Sequence, residues 1–315
     1  MYSQEYSSYS PLVSIVIPAR NEAKDIAATL EACLAIEYGP KEIIVVDDST
    51  DETPQIVGQY AERGVRLIHR SQNRNGCCGA RNLGMQSAEG EIIVLMNADD
   101  RPHPDFIQRI LPHYHGDIDF VLVRSQVANF ENLWGKYIHV TSEFDRNIHP
   151  DPSWSEGISV RKSAVQAIGY IPGDFPIPFC RDNLLGRRLV EAGYKKLIDL
   201  SIPMLHVTPD NLVDYWHNQV WRGSFSAPYA YYFRGLSIPH IIIRELLKAT
   251  RTVLLNIFIL PKLWRVLRQS RYSINKWRDI PGLLWVSIVQ DAAIISGNIK
   301  GLFQLINIKG SPIKG

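Results

Sequence analysis

The sequence predicts an α/β fold built around a mostly parallel sheet. Short apolar runs rich in β-branched residues recur at residues 12–17, 42–46, 65–69, 91–96 and 118–123. Stretches with the spacing of amphipathic helices separate these runs, and this alternation is typical of strand–helix–strand units. Because the runs are apolar at consecutive positions, we expect strands that helices cover on both faces.

The first strand–helix unit is marked by its turn. Pro18 ends the run 12–17, and Asn21 is a candidate N-cap for the helix that follows. Glu22 and Asp25 would then lie in the first turn, where the helix dipole favours acidic side chains. The sequence therefore predicts a helix that begins next to Asn21.

The next units follow the same scheme. Ser49 or Thr50 is a candidate cap of the second helix, Pro54 is tolerated in its first turn, and Gly64 ends it. Further predicted elements are the helices 79–88 and 104–114, the strand 200–207 and a helix that opens at Asp182 and ends at Gly193.

Polar side chains follow two of the predicted strands. Asp47 and Asp48 come directly after the run 42–46, and Asn97, Asp99 and Asp100 follow the run 91–96. In open α/β sheets, ligands bind beyond the carboxyl ends of the strands. A single strand-end Asp is often only a turn former. Two such clusters favour a binding site along one edge of the sheet.

The sequence excludes two common nucleotide sites. The turn after the first strand reads IPARNEAK and lacks the glycine fingerprint of a dinucleotide site, and no GxxxxGK[ST] loop occurs. Without a glycine cradle, a diphosphate can be held through a divalent cation, and Mg²⁺ and Mn²⁺ prefer carboxylate oxygens. The pattern predicts a nucleotide-diphosphate site with a metal on Asp99.

Charge is divided unevenly along the chain. The formal net charge of the 315 residues is +2. Residues 236–315 carry 12 Lys and Arg against 3 Asp and Glu, whereas residues 1–235 carry 22 against 29. This asymmetry predicts that the C-terminal part meets an anionic partner.

The N-terminus and the cysteines indicate a reducing compartment. The start MYSQEYSSYSP has no basic region followed by an apolar core, so we expect no secretory signal. The four cysteines form no CxxC pair and no zinc spacing.

Six motifs together resemble glycosyltransferase family 2. They are SIVIPARNE, VVDDSTDET, GARNLG, LMNADDRPHPD, RDNLLGRRLVEAGYK and QVWRG, in the order found in that family. The resemblance covers residues 12–235. It implies a GT-A fold and the transfer of a sugar, with inversion, from a nucleotide-diphosphate donor.

The resemblance assigns donor-binding roles to the first two strand ends. Pro18, Asn21 and Glu22 match the first nucleotide-binding turn of the family. Asp47 and Asp48 match the acids that meet the base and the ribose, and we favour Asp48 for the base.

Further roles follow from the later motifs. Arg81 matches an arginine near the nucleotide, and Asn97 with Asp99 matches the DXD motif. Asp182 matches the catalytic base at the start of an acceptor-site helix. His206 stands where some members supply a further metal or diphosphate ligand.

The last motif and two departures complete the resemblance. Gln219 and Arg222 match a QxxR motif near the donor phosphates and the acceptor. The first DXD acid is here Asn97, whose amide oxygen can accept a hydrogen bond or coordinate weakly. The acid that often precedes the catalytic Asp182 is here Arg181, whose positive charge could lower the pKa of its neighbour.

The C-terminal part predicts a membrane partner. Residues 241–260 are apolar but interrupted by charges, and residues 261–279 are basic with two tryptophans. Such a segment suits an anionic membrane surface. Residues 282–299 reach only the lower limit of a spanning helix, so we interpret them as interfacial or re-entrant. The alternatives are a true span or helices packed on the catalytic domain. Nucleic acid is a poorer partner, because the basic residues alternate with bulky aliphatics.

The sequence thus predicts a disordered lead-in over 1–10, a GT-A domain over 11–235 and a basic helical tail over 236–315. We expect an inverting, metal-dependent hexosyltransferase that uses Mg²⁺ or Mn²⁺ and, by preference, a UDP-sugar. Its expected place is the cytoplasmic face of a membrane, peripheral or monotopic. Its expected acceptor is a hydroxyl of a lipid or lipid-linked glycan, as in cell-envelope polysaccharide assembly. Two alternatives stay open: a polyisoprenyl-phosphate glycosyltransferase, and a non-catalytic sugar-nucleotide-binding protein.

Overall fold

The computed structural model describes residues 10–70, 76–148, 156–171 and 183–307. The chain divides into two compact units, one formed by residues 1–126 and 151–207 and the other by residues 127–150 and 208–315. The predicted boundary after residue 235 falls inside the second unit by this division and stays a prediction. Most of the predicted lead-in, residues 1–9, lies outside the described residues.

The first unit is built on an eight-stranded mixed sheet with the strand order β3-β2-β1-β4-β7-β6-β8-β5. Strands β1 to β4 pair in parallel, β7 is antiparallel to both β4 and β6, and β5 is antiparallel to β8. The strands are β1 Val13–Ala19, β2 Lys41–Asp47, β3 Val65–His69, β4 Ile92–Leu95, β5 Asp100–Pro102, β6 Phe120–Val127, β7 Ile158–Arg161 and β8 Lys196–His206.

Twelve α-helices accompany the sheet in the described part of the chain. In chain order they are α1 Ile26–Leu34, α2 Thr53–Gly58, α3 Gly76–Ser87, α4 Phe106–Ile110, α5 Leu133–Ile148, α6 Lys162–Ala167, α7 Asn183–Glu191, α8 Leu212–Ser224, α9 Ser226–Tyr232, α10 Ile238–Ile257, α11 Ile259–Gln269 and α12 Lys276–Asn307. The predicted α/β class is confirmed.

The central strands are buried because their side chains are apolar on both faces. Ile15 of β1 lies opposite Ile43 of β2 and Val94 of β4 in the register of the sheet. On one face of the sheet, Ile26 and Leu30 of α1 belong to the same buried cluster. Each fully buried aliphatic side chain contributes about 1.5–3 kcal/mol relative to exposure, so the apolar runs fix the strands.

Two predicted helix caps are wrong. α1 begins at Ile26 with Asp25 at its N-cap position, and Asn21 instead adopts a left-handed conformation with φ of 57°. α2 begins at Thr53, beyond both Ser49 and Thr50. The residues predicted to cap helices form the loops before them, where their polar groups bind one another.

The second unit is a helical assembly with its own core. Side chains of α5, α8, α11 and α12 form one buried cluster: Tyr137, Val140, Tyr215, Val266, Leu283, Val286 and Val289. α12 is the one helix in the described residues that is long and apolar enough to cross a membrane. Length and composition alone support this, and a core helix of a soluble protein can meet the same criteria.

Glycines bring α8 and α12 into close contact. A Cβ atom added to Gly297 would lie 2.2 Å from the carbonyl oxygen of Val220 and 2.9 Å from Cα of Gly223. One added to Gly301 would lie 2.0 Å from the carbonyl oxygen of Ser224. The two backbones touch along this line, which leaves no room for side chains.

Candidate active site

The loops after β1 and β2 are tied together by hydrogen bonds. Oδ1 of Asn21 accepts from the backbone N–H of Thr50 at 2.9 Å, and Oγ of Ser49 accepts from the N–H of Asn21 at 2.8 Å. Oγ1 of Thr53 accepts from the N–H of Glu22 at 2.8 Å. Asn tolerates a positive φ better than most residues. The predicted nucleotide-binding turn is therefore held in one conformation by the neighbouring loop.

The two acids after β2 meet basic partners from the end of β3. Asp47 is fully buried, and its Oδ2 accepts from Nδ1 of His69 at 3.1 Å. Its Oδ1 has no hydrogen-bond partner among the residues that the structure describes. Both oxygens of Asp48 are held by the guanidinium of Arg70, with Nε at 2.6 Å from Oδ1.

Sequence analysis missed His69 and Arg70 as site residues. His69 is the last residue of the strand VRLIH and Arg70 comes directly after it, and β3 pairs in parallel with β2. The rule that placed Asp47 and Asp48 at the carboxyl edge applies equally to the end of β3. Two basic residues at the end of β3 were therefore the sequence signal that could have identified them as site residues.

Asn97 is bound by Arg81. Nη2 of Arg81, a buried residue, donates to Oδ1 of Asn97 at 2.8 Å. The backbone N–H of Asn97 donates to Oδ2 of Asp100 at 2.7 Å. The amide oxygen at the first DXD position thus serves as an acceptor for a guanidinium, a role that needs no carboxylate.

Asp99 and His206 lie side by side at the edge of the sheet. β5 pairs with β8 so that Asp100 is opposite His206, and the backbone N–H of Val207 donates to the carbonyl of Asp99 at 3.0 Å. Oγ of Ser125 lies 3.2 Å from Nδ1 of His206. Two residues more than a hundred positions apart in sequence are therefore fixed together by backbone pairing.

Carboxyl groups crowd this edge and shift one another's pKa. Burial raises the pKa of Asp99 to about 6, against the opposing effect of the nearby His206. Burial and the negative charge of Asp99 raise the pKa of Glu22 to about 8. Burial raises the pKa of Asp100 well above its usual range, with Asp99 and Glu156 adding to the effect. Glu156, just before β7, was not predicted from sequence.

Residues 14–164, which include all of β1 except Val13 and the whole of β2 to β7, match the family described as Glycosyl transferase family 2. Residues 14–164 belong to this family, and they make up just under half of the chain. The motifs that suggested the resemblance lie largely inside the matched residues, and the strand-end carboxylates lie within it as well.

The chain matches curated relatives over only part of their own length. A beta-monoglucosyldiacylglycerol synthase of Nostoc sp. is 34% identical over 143 residues, which cover 43% of this chain and 31% of that protein. The succinoglycan biosynthesis protein ExoO of Rhizobium meliloti is 40% identical over 102 residues, which cover 32% of this chain and 29% of that protein. The match thus spans about a third of each relative.

Solved structures share the fold over nearly the whole chain. The mannosyltransferase PcManGT of Pyrobaculum calidifontis, in complex with GDP-Man and Mn²⁺, has a TM-score of 0.58 at 19% identity and covers 94% of this chain and 88% of that chain. Residues 1–349 of S. aureus TarS, in complex with UDP-GlcNAc, have a TM-score of 0.51 at 16% identity and cover 93% of this chain and 91% of that chain. The predicted GT-A fold is confirmed.

The polar side chains at this edge of the sheet fit a divalent cation that is held jointly by the protein and a substrate. Asp100 has one buried carboxylate oxygen, Oδ1, without a hydrogen-bond partner among the described residues. No group of three His, Cys, Asp or Glu side chains poised to hold a metal occurs in the described part of the chain. Mg²⁺ is usually held by one or two carboxylates together with substrate phosphates and water. Asp99 and His206 suit that arrangement.

The other predicted site residues lie in β1, in α8 and outside the described residues. Pro18 lies in β1, opposite Val46 of β2. Gln219 is buried in α8 of the second unit, and Arg222 is exposed in the last turn of the same helix. Asp182, the predicted base, lies outside the described residues. The roles of these residues stay predictions.

Proposed function

We propose that the protein transfers a sugar, with inversion, from a nucleotide-diphosphate donor to a hydroxyl group of a lipid or lipid-linked glycan. The observation that carries the proposal is the juxtaposition of Asp99 and His206 at the carboxyl edge of the sheet in a family 2 glycosyltransferase. Ligands of open α/β sheets bind at this edge. The finer points below extend the same proposal.

Asp99, with His206 beside it, would hold Mg²⁺ or Mn²⁺. When bound, the cation supplies Lewis-acid stabilisation of the negative charge that builds on the departing nucleoside diphosphate. PcManGT, whose fold is similar, is described in complex with Mn²⁺. The carboxyl groups of this edge are close enough to raise one another's pKa, so a cation among them would relieve their repulsion.

The nucleoside would bind against the ends of β2 and β3. Asp47 offers a buried carboxylate oxygen that no described residue satisfies, and a base N–H is a suitable donor for it. Arg70 holds the Asp48 carboxylate in a fixed orientation, which preorganises it as an acceptor. Arg81, fixed against Asn97, would lie near the nucleotide. We favour a uridine nucleotide on this basis.

Asp182 is proposed as the general base. An acceptor hydroxyl is a poor nucleophile and needs a carboxylate to take its proton as it attacks the anomeric carbon. α7 begins at Asn183, so Asp182 directly precedes a helix, whose N-terminal dipole favours an ionised carboxylate. The variant Asp182→Asn should keep donor binding and lower transfer by at least about 10²-fold. Transfer within a few-fold of the wild type would remove Asp182 from the mechanism.

The acceptor is proposed from the names of the relatives. One relative is named as a synthase of a glucosylated diacylglycerol, and another as a succinoglycan biosynthesis protein. A lipid or a lipid-linked glycan is the class common to such products. A transferase acting on polyisoprenyl phosphate and a non-catalytic sugar-nucleotide-binding protein are the two competing functions.

The test is a thermal-shift screen of the full chain with UDP- and GDP-sugars, each with Mn²⁺, with Mg²⁺ and with a chelator. A ligand that binds only the native state raises its stability, so the true donor should raise Tm in a metal-dependent way. Donor hydrolysis or transfer to extracted lipid then separates an enzyme from a binding protein. Asp99→Ala should abolish both signals. Asp117→Ala, at an exposed acid of the same unit, should change neither.

A metal-dependent Tm increase without hydrolysis or transfer would support the non-catalytic alternative. Equal donor affinity with metal and with chelator would overturn the proposed metal site. Glycosylation of a polyisoprenyl phosphate in preference to other lipids would select the first alternative.

A further inference from the structure

The outer surface of α10 and α11 is apolar. Leu260 and Trp264 of α11 are 74% and 66% exposed, and they lie four residues apart on one face of the helix. Ile257 and Phe258, at the junction of the two helices, are exposed as well. Large side chains of this kind rarely form contiguous exposed patches on soluble monomers unless the patch binds something.

The inner surface of α11 carries two polar side chains, Lys262 and Gln269, beside the core residue Val266. The ammonium group of Lys262, with a side chain only 7% exposed, forms an ion pair with Asp291 of α12. The same group lies 3.4 Å from the carbonyl oxygen of Ser287, which accepts its hydrogen bond. Gln269 is 2% exposed. α11 is therefore inverted: in a water-soluble protein, the apolar face of an amphipathic helix points inward.

α10 shows the same inversion. Glu245 is buried, where it accepts hydrogen bonds from Arg244 and from Ser226. Its neighbours Leu246 and Leu247 are exposed. Each helix thus buries one aliphatic residue, Ile241 or Val266, and one ion-paired group, while its large exposed side chains are mainly aliphatic or aromatic. A surface built in this way suits a medium less polar than water.

The charges on this part of the unit are complementary to an anionic surface. The three acids of α10–α12 are all engaged in ion pairs: Glu245 with Arg244, Asp279 with Lys136, and Asp291 with Lys262. The exposed charged residues of α10, α11, α12 and the 3-10 turn between α11 and α12 are basic: Lys248, Arg251, Arg265, Arg268, Arg271, Arg278 and Lys300.

Basic and apolar residues are also ordered on α11. With about 3.6 residues per turn, Leu260, Leu263, Trp264 and Leu267 share one side of the helix. Arg265 and Arg268 fall between that side and the buried face. An apolar face bordered by arginines is the arrangement with which helices lie in the headgroup layer of a bilayer.

We propose that the outer face of α10 and α11 docks on an anionic lipid bilayer. α11 lies in the plane of the interface, the apolar side chains Phe258, Leu260 and Trp264 enter the acyl boundary, and the arginines contact lipid phosphates. The inference is independent of the sugar-transfer chemistry. It treats α12 as a helix of the unit, because its glycines and Asp291 are engaged by α8 and α11.

The experiment is sedimentation of the full chain with vesicles of phosphatidylcholine alone and with about 30 mol% phosphatidylglycerol, an anionic lipid. The double variant Leu260→Ser with Trp264→Ser should bind the anionic vesicles at least about tenfold more weakly, because both side chains lose burial. The control is Val190→Ser with Val213→Ser, whose side chains are 48% and 60% exposed elsewhere. It should bind as the wild type does.

A second variant tests the electrostatic part. Arg265→Gln with Arg268→Gln should lower affinity for anionic vesicles by about tenfold or more and reduce the loss of binding at high salt. Binding to phosphatidylcholine should stay weak throughout.

Three results would overturn the proposal. The first is a wild type that remains in the supernatant with anionic vesicles at low salt. The second is a serine variant whose affinity for anionic vesicles is within about twofold of the wild type, because the loss of two buried apolar side chains should weaken binding by more than that. The third result combines two measurements. Light scattering without lipid shows that the wild type is oligomeric and the serine variant monomeric, and both proteins bind vesicles equally well. That result would assign the face to a second copy of the chain.

Discussion

Replacing Gly297 by alanine tests whether the contact between α8 and α12 is as close as the structure shows. The added Cβ would lie 2.2 Å from the carbonyl oxygen of Val220 and 2.9 Å from Cα of Gly223. Both neighbours are backbone atoms, which cannot rotate away as a side-chain tip can. The helices must therefore separate along the contact.

The expected cost follows from two opposing effects. Inserting a methyl group into a packed interior costs about 1–3 kcal/mol. Alanine in a helix interior is more favourable than glycine by about 1 kcal/mol. Because both obstructing atoms belong to the backbone, the upper part of the first range applies, about 2–3 kcal/mol. The net loss in the free energy of unfolding is then about 1–2 kcal/mol, which lowers Tm by about 2–8 °C for a domain of this size.

Tryptophan fluorescence is a suitable assay for this unit. Six of the seven tryptophans lie in residues 127–150 and 208–315, so the signal reports mainly on the helical unit. The control is Gly186→Ala on α7, where the added Cβ would meet only Phe120, at 3.9 Å. Circular dichroism should show that variant stabilised by up to about 1 kcal/mol. A Gly297→Ala protein that melts at or above the wild-type temperature would refute the close contact.

Three further outcomes are expected. Calorimetry should show nucleotide binding that is stronger with Mn²⁺ than with chelator in the wild type and equal in Asp99→Ala; equal binding in both would contradict the metal site. Arg70→Ala should cost about 3 kcal/mol, because it removes the ion pair with the buried carboxylate of Asp48. The exposed pair of Arg63 should be worth less than about 1 kcal/mol by the same denaturation assay. Burial alone would raise the pKa of Glu245, but hydrogen bonds from its neighbours outweigh this effect, so the pKa in the folded state is lower than in the unfolded state. The ionised Glu245 therefore stabilises the fold above the unfolded-state pKa, and this contribution is lost as the pH falls through the folded-state pKa. Glu245→Gln should therefore flatten the acid limb of the stability profile, and an unchanged limb would contradict this.

The strands were predictable from the sequence because burial decides them. The run VRLIH matches β3 at both ends, and the other runs match their strands to within a few residues. A short run of consecutive apolar residues buries all its side chains when it forms a strand that is covered on both faces of the sheet. The strand-end position of Asp99 followed from the same pattern, together with the rule for open sheets.

The loop geometry was not predictable in the same way. Asn21 and Ser49 are residue types that often cap helices. Here the N–H of Asn21 donates to Oγ of Ser49, and Oδ1 of Asn21 accepts from the N–H of Thr50, although a whole helix and a strand separate the two loops in sequence. A local rule sees only the residues that follow in sequence. Their true partners are decided by the pairing of β1 with β2, which no local pattern encodes. The same holds for Arg70 and Asp48.

The inversion of α11 was only half visible in the sequence. Its basic and aromatic composition predicted a membrane surface, but composition does not reveal which face points outward. That direction depends on the ion pair of Lys262 with Asp291, residues 29 positions apart that meet only once α12 is in place. Long-range pairing therefore converts an ordinary amphipathic helix into an outward-facing apolar surface.

The helical unit has a consequence for synthesis on the ribosome. The ribosome completes α5 at residue 148, but α12, which carries the buried partners of α5, is complete only at residue 307. At about 5–20 residues per second, Tyr137 and Val140 remain without their final packing for about 8–30 s. During that interval the apolar side chains of α5 on the nascent chain are not yet buried against α12. We expect general chaperones or the membrane itself to cover it, and release of the chain before α12 is complete should yield aggregation rather than a soluble fragment.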